Sequence, residues 1–406
     1  MKTTIEISIG KRLLVFVLCA LCASVVNIRA QDFKTVHDGV EYAQVVHKLG
    51  SDPVKINLLR LDLKKVRLDV HHAMDAAIGT EKTSSIATRH GAVAAINAGF
   101  FRLDKSAWAG EAAGVLMVNG KLLSESLLDR ATLLLLNGSP KETHVLFGHY
   151  QTKAWIQFGD KHWGSIIELS GIDRERKASE AILLSEDKIQ KLAPGEMELR
   201  LNKCSFRPFS NSDVETQCDE IEILRGNSDR KLKNPQFVVV LDAEYGTNNS
   251  VSEKIAAFET LSKKIVIIRT RIKDGNTFPY TAGDVDITNG IPQLIKSGKI
   301  DITWEQEKAG KAFAETRHPR TAVAKLKNGK FLMITVDGRQ PGVSVGMNLQ
   351  ELAEYLFSLG AVDAMNLDGG GSTTMFLDGK VVNTPSDKEG ERKIGDAILV
   401  TLRTKR

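Results

Sequence analysis

NLQELAEYLFSLG (348–360) runs directly into AVDAMNLDGGGST (361–373), and the two together decide the fold. Leu349, Leu352, Leu356 and Phe357 recur at helical spacing and predict one apolar helix face. Asn348 with Glu351 reads as a capping box, and Gly360 as the stop. AVDAMNL (361–367) then reads as a buried strand. With the apolar run KFLMITV (330–336) upstream, this is a strand–helix–strand unit. TTMFLDG (373–379) follows as one more strand.

Working outward, VKINLLRLDL (54–63) and KVRLDVHHAM (65–74) alternate apolar and polar residues, as half-buried strands do. KTSSIATRHG (82–91) fits a short helix closed by Gly91, and AVAAINAGFF (92–101) a buried strand ending in a turn. Residues 115–170 hold short apolar runs punctuated by Asn119-Gly120 and Asn137-Gly138, pairs that favour hairpins because both residues accept positive φ. FVVVLDA (237–243) and KIVIIRTRI (264–272) read as strands around a helix near 251–263. Residues 186–236 lack sustained periodicity and read as an insertion or irregular excursion. The expectation is an α+β fold: one catalytic domain over 31–406, with a large mixed or antiparallel sheet covered on one side by helices.

The chain opens with Lys2, Lys11 and Arg12, an apolar run from Leu13 to Leu21, and Ile28-Arg29-Ala30. That order predicts a signal peptide over 1–30 and a secreted or periplasmic product. The apolar run is too short for a spanning helix, which needs about 20 residues. Cys19 and Cys22 each follow Leu where a lipoprotein signal wants a small residue, so lipid anchoring is disfavoured. Cys204 and Cys218 are the cysteines that remain, with a disulfide and two free thiols both open. The net charge of +5 is dispersed, which argues against a nucleic-acid partner. No oligomeric state follows.

Four stretches place polar residues at the ends of apolar runs: INAGFF (96–101), RHPRTAV (317–323), TVDGRQPG (335–342) and NLDGGGST (366–373). Each alone reads equally well as a turn. Together they offer two arginines on stiff turns, a glycine run and two strand-end aspartates. Arginine matches phosphate oxygens with a planar fork of donors, and successive backbone amides can form an anion nest. The set suits a phosphorylated ligand. Neither a P-loop, a dinucleotide fingerprint, a nucleophile elbow nor HExxH is present. His71-His72 lies in an alternating strand and reads as structural.

The combination of these four motifs, in this order, resembles the phosphodiester glycosidases. GIDRER (171–176) and NTPSDKEGERKIGDAILV (383–400) extend the resemblance. It implies hydrolysis of an N-acetylglucosamine-1-phosphodiester-like substrate at the anomeric carbon, releasing sugar and leaving a phosphomonoester. On that reading Asp368 and Asp337 are the candidates for nucleophile or general base. Arg320, Arg339 and Arg174 would bind phosphate, assisted by the amides of Gly369, Gly370 and Gly371 and the Ser372 hydroxyl. Asn97 and Asn366 would bind sugar hydroxyls, with Thr321 supporting Arg320 and His318 nearby. The chemistry requires no cofactor and no metal ligands are assigned, although a divalent cation at the aspartates is compatible with it. The competing expectation is a noncatalytic phosphoglycan- or glycan-binding protein using the same pocket.

Overall fold

The computed structural model describes residues 32–159, 164–185, 192, 194–208, 213–226, 231–242, 251–261, 264–273 and 285–403. The predicted signal peptide lies outside the described residues. Strands dominate, and the few helices are short.

The central sheet has eight strands in the order Lys34–His37, Val40–Leu49, Asp52–Leu61, Phe331–Val336, Arg320–Leu326, Ala361–Asn366, Gln293–Lys296, Lys299–Ile300. Every pairing in it is antiparallel. Phe331–Val336 and Ala361–Asn366 therefore run parallel to each other with Arg320–Leu326 between them, so the expected strand–helix–strand unit straddles one strand. Its helix, Leu349–Ser358, begins with the capping box: Asn348 Oδ1 accepts from the Glu351 amide at 2.8 Å, and Glu351 Oε2 accepts from the Asn348 amide at 3.0 Å. Such a cap stabilises a helix by about 1 kcal/mol. Gly360 follows at φ 86°, where a side chain would be strained.

That helix buries Leu349, Leu352, Ala353 and Leu356 on one face of the sheet, against Ile56, Leu58, Ala322, Ala324, Ile334 and Val336. Phe357, predicted to share this face, is 44% exposed; Ala353 and Tyr355 take the inner positions instead. The other sheet face presents Leu59, Leu61, Val323, Met333 and Met365 to a second core. Its partners include a five-stranded sheet ordered Lys380–Val381, Met375–Leu377, Ala94–Asn97, Asp396–Leu402, Val66–His72. A second five-stranded sheet contributes Leu133 and Leu135 from Thr132–Leu136. The α+β expectation holds, with one large antiparallel sheet sandwiched between helix and further sheet.

Both Asn-Gly pairs lie in hairpins, while the reading of 186–236 changes. Asn119-Gly120 closes a tight hairpin with φ 48° and 74°. Asn137-Gly138 also lies in a hairpin, between Thr132–Leu136 and His144–Gly148, but in a longer loop where Asn137 is buried, donating to the Leu68 carbonyl and accepting from the Thr143 hydroxyl. Within 186–236, the stretch read as irregular, Glu196–Pro208 and Asp213–Arg225 form a long antiparallel ladder in a fourth, eight-stranded sheet. Met197, Leu199 and Leu201 alternate into its core, but the residues between them include Glu198 and Arg200, themselves buried as an ion pair at 2.6 Å, which masked the apolar pattern. Cys204 and Cys218 face each other across this ladder as a disulfide.

Candidate active site

Six strand termini from three sheets meet in one region. They belong to Ala94–Asn97, Val285–Asn289, Arg320–Leu326, Phe331–Val336, Ala361–Asn366 and Asp396–Leu402. Hydrogen bonds stitch them together: the Asp368 amide donates to the Ala98 carbonyl at 2.9 Å, the Gly99 amide to Asp396 Oδ1 at 3.0 Å, and the Gly370 amide to the Pro319 carbonyl at 2.9 Å.

The glycine run is the floor of this region. Gly370 sits at φ 61°, and a Cβ there would stand 3.0 Å from Arg339 Nη2. A Cβ on Gly371 would come within 2.2 Å of both Arg392 Nη2 and Asp387 Oδ1, and one on Gly369 within 2.7 Å of the Pro319 carbonyl oxygen. The glycines are therefore required because two arginines and a backbone lie directly on them. The predicted amide nest is partly spent internally, since the Gly369 amide donates to Asp368 Oδ1 and that of Gly370 to Pro319.

Asp368 stands at the edge of this floor. Burial raises its carboxyl to about 6, against the pull of the Ser372 hydroxyl, the Gly369 amide and the Arg392 charge, while Asp396 raises it further. Ser372 Oγ is buried and faces this carboxyl without a strict hydrogen-bond partner; Thr373 Oγ1, Thr374 Oγ1 and Asn366 Oδ1 are likewise buried without protein partners. Buried polar atoms left unpaired are rare, and each calls for a reason such as a catalytic role or an unseen ligand. Asp396 itself is buried, accepting from Thr288 Oγ1 at 2.7 Å, and burial raises its pKa also.

Arg339 is exposed, with φ 61°, a left-handed conformation that a non-glycine residue adopts only under constraint. Its guanidinium makes no hydrogen bond or ion pair among the described residues. His318 is half-buried nearby, held by backbone bonds to Met347, and its imidazole pKa is lowered by burial and by Arg320 and Arg339. Arg392 grips Asp387 with two bonds, at 2.7 and 3.0 Å. Phe313 and Phe100 meet edge to face at 6.0 Å, with Arg320 stacked 4.9 Å from the Phe313 centroid.

Several predicted site residues have other occupations. Arg320 is buried and donates to three carbonyls, those of Met347, Phe313 and Thr316, so it is a strut rather than an open anion ligand. Its burial pulls its pKa down to about 10. Arg174 is committed to Glu125 and Glu180 through three nitrogens, which leaves no fork for phosphate. Asp337 is buried and accepts from Asn383 Nδ2 and the Thr384 amide; it fastens that segment to the sheet, and burial raises its pKa.

Asn97 and Asn366 are fully buried. Asn97 donates to the Asp368 carbonyl and accepts from Thr321 Oγ1 and the Thr374 amide. Asn366 donates to the Ile291 and Leu367 carbonyls. Both amides are tied into the fold through their nitrogens, but Asn366 Oδ1 has no partner among the described residues, and Thr321 supports Asn97 rather than the Arg320 side chain. Asp368, Ser372, Arg339, His318 and the glycines are brought together. Sequence reasoning missed Arg392, Asp387 and Asp396, which lie inside the quoted 383–400 stretch, and the Phe100–Phe313 pair. Nothing marks Arg392 in sequence except its distance-matched acid, Asp387.

The model of the phosphodiester glycosidase family matches residues 222–401. N-acetylglucosamine-1-phosphodiester alpha-N-acetylglucosaminidase from Bos taurus is 36% identical over 112 residues, 25% of this chain and 21% of that protein. The Homo sapiens protein of the same name is 34% identical over 112 residues, with the same shares. The match thus spans about a fifth of the length of these relatives. A hypothetical protein from Synechocystis shares the fold, with TM-score 0.67 and 18% identity over 93% of this chain and 64% of that one. Among the described residues no helix is long and apolar enough to cross a membrane.

Proposed function

We propose, on the premise that this chain belongs to the phosphodiester glycosidase family, that it hydrolyses a sugar-1-phosphodiester at the anomeric carbon. The observation that carries this reading is the Arg339 guanidinium, without a hydrogen bond or ion pair among the described residues, lying on Gly370, two residues along the chain from the half-buried Asp368 carboxyl. One group suits the departing phosphate; the other suits the reacting sugar.

In the proposed reaction the bond between C1 and the bridging ester oxygen of the phosphodiester breaks, and its electron pair leaves with the phosphate. Charge therefore grows on the phosphate while the sugar becomes oxocarbenium-like. Arg339, preorganised by the glycine floor, takes up the first charge. Ionised Asp368 stabilises the second and either attacks C1, giving a glycosyl ester that water then hydrolyses, or takes a proton from the attacking water. Arg392 favours the charged form of Asp368. The products are free sugar and a phosphomonoester. N-acetylglucosamine is the sugar favoured by the names of the curated relatives, and secretion is the location favoured by the signal-like start of the chain.

The test is incubation with an N-acetylglucosamine-1-phosphodiester, following sugar, phosphomonoester and inorganic phosphate separately. Free sugar and phosphomonoester in equal amounts are expected. Inorganic phosphate without free sugar would overturn the reaction class, and tight binding without turnover would select the glycan-binding alternative.

A further inference from the structure

His71 and His72 are neighbours on the strand Val66–His72 but serve different ends. His72 is buried with its two ring nitrogens set against the Ala73 and Gly110 carbonyls, at 3.2 and 3.0 Å. His71 projects the other way and stacks on His90, with ring centroids 3.8 Å apart. His90 caps the end of the helix Thr83–Arg89. Asp75 completes the group: its Oδ1 lies 2.8 Å from His90 Nε2 and 3.9 Å from His71 Nδ1.

Among the described residues this is the one group of three His, Cys, Asp or Glu side chains whose ligand atoms converge, all within 4.8 Å of one another. The turn that presents Asp75 is strained, because Met74 and Asp75 both have left-handed φ, 58° and 54°. Non-glycine residues hold such conformations where the surrounding structure imposes them. The three side chains also line a cavity of about 380 Å³, together with Asn119, Lys121 and Ser185.

We propose that His71, Asp75 and His90 form a binding site for a first-row transition dication, with Zn²⁺ the preferred ion and the remaining coordination positions facing the cavity. Two imidazoles and one carboxylate match the ligand preferences of zinc, nickel and copper, while calcium and magnesium favour all-oxygen sites. Metal–nitrogen bonds of about 2.0–2.1 Å need the ligand atoms drawn closer by small side-chain rotations.

Arg89 is the competitor. It pairs with Asp75 Oδ2, its Nη1 lies 2.9 Å from His90 Nε2, and its Nη2 holds Glu81 at 2.8 Å. An incoming dication takes the place of the Nη1 contacts while Nη2 stays on Glu81. The site therefore makes a prediction that an ordinary ion-pair network does not: removing the arginine charge strengthens metal binding.

The experiment titrates tag-free full chain with Zn²⁺ by equilibrium dialysis, and with Co²⁺ while recording its visible d–d bands. One ion per chain is expected, with a low-symmetry Co²⁺ spectrum carrying nitrogen ligation. His90→Gln and Asp75→Asn should each weaken binding at least ~10-fold, and Arg89→Gln should tighten it. Absence of saturable binding by the wild-type chain overturns the proposal. So does equal binding by a folded His71→Gln/His90→Gln variant, which would put the ion elsewhere. If that double variant does not fold, Arg89→Gln decides: unchanged or weaker binding overturns the site. The proposal does not depend on glycosidase activity, so either can fail alone.

Discussion

The Arg339 guanidinium lies on the backbone of Gly370, so close that a single methyl group on that glycine would stand 3.0 Å from its Nη2. Gly370→Ala both collides with this arginine and forces alanine into φ 61°. We expect a stability loss of about 1–2 kcal/mol from the left-handed backbone. Sugar release should fall at least ~10-fold, through displacement of Arg339. Chemical denaturation and initial-rate assays on the same preparation separate the two effects; a destabilised variant with wild-type kcat/KM would show that Arg339 does not work from this position.

The two predicted phosphate arginines should behave oppositely. Arg339→Ala removes an exposed side chain that has no hydrogen bond or ion pair among the described residues, so Tm should hold while kcat/KM drops by ~100-fold or more. Arg320→Ala removes three hydrogen bonds, to the carbonyls of Met347, Phe313 and Thr316, and takes a large buried side chain out of the fold. With each lost bond worth about 1 kcal/mol and a void left in the core, it should destabilise the fold by several kcal/mol. A stable, selectively inactive Arg320→Ala would reverse this assignment.

The pH dependence follows from Asp368. Its folded carboxyl is raised to about 6, and the proposed reaction needs it ionised. Rates should therefore fall as pH drops through about 6. The sign for stability is the reverse: a carboxyl raised on folding binds its proton more tightly in the native state. Its contribution to stability is greatest below the unfolded value and is lost as pH rises through about 6. Asp368→Asn should abolish turnover while leaving Tm at pH 7.5 equal to or above that of the wild type. A clear loss of Tm there would mean that the charge is stabilising and the site is differently wired.

Arg392 favours the ionised form of Asp368. Replacing it by glutamine should move the acid limb of the kcat/KM profile to higher pH, because the carboxyl then holds its proton longer. A limb that stays in place, or moves to lower pH, would uncouple the two residues. Gly371→Ala, which drives a Cβ into the Arg392–Asp387 pair, should shift the limb in the same direction.

The strand–helix–strand unit was legible because local signals agree there: an apolar stripe, a capping box and a terminal glycine all mark Leu349–Ser358. The alternation of Glu196–Pro208 was obscured because Glu198 and Arg200 bury their charges on each other, and a charge pattern reads as exposure. The same limit governed the site. Motif residues were found, but which way each side chain turns depends on partners distant in sequence. Asn97 bonds to Thr321, and Asp337 to Asn383, pairings that no local pattern announces. The glycines were read as donors; their larger role is to leave room for arginines whose positions only the fold reveals.

The strand Asp396–Leu402 lies between Ala94–Asn97 and Val66–His72, and completes the hydrogen bonding of both. During synthesis those two strands emerge some three hundred residues before the one that separates them. Until it arrives their facing edges are open, and open edges invite pairing with other chains. The same late strand brings Asp396 to Gly99 and Thr288. Closure of the sheet and completion of the acidic pocket around Asp368 are thus one event, and partly folded chains are expected to be both inactive and prone to aggregate.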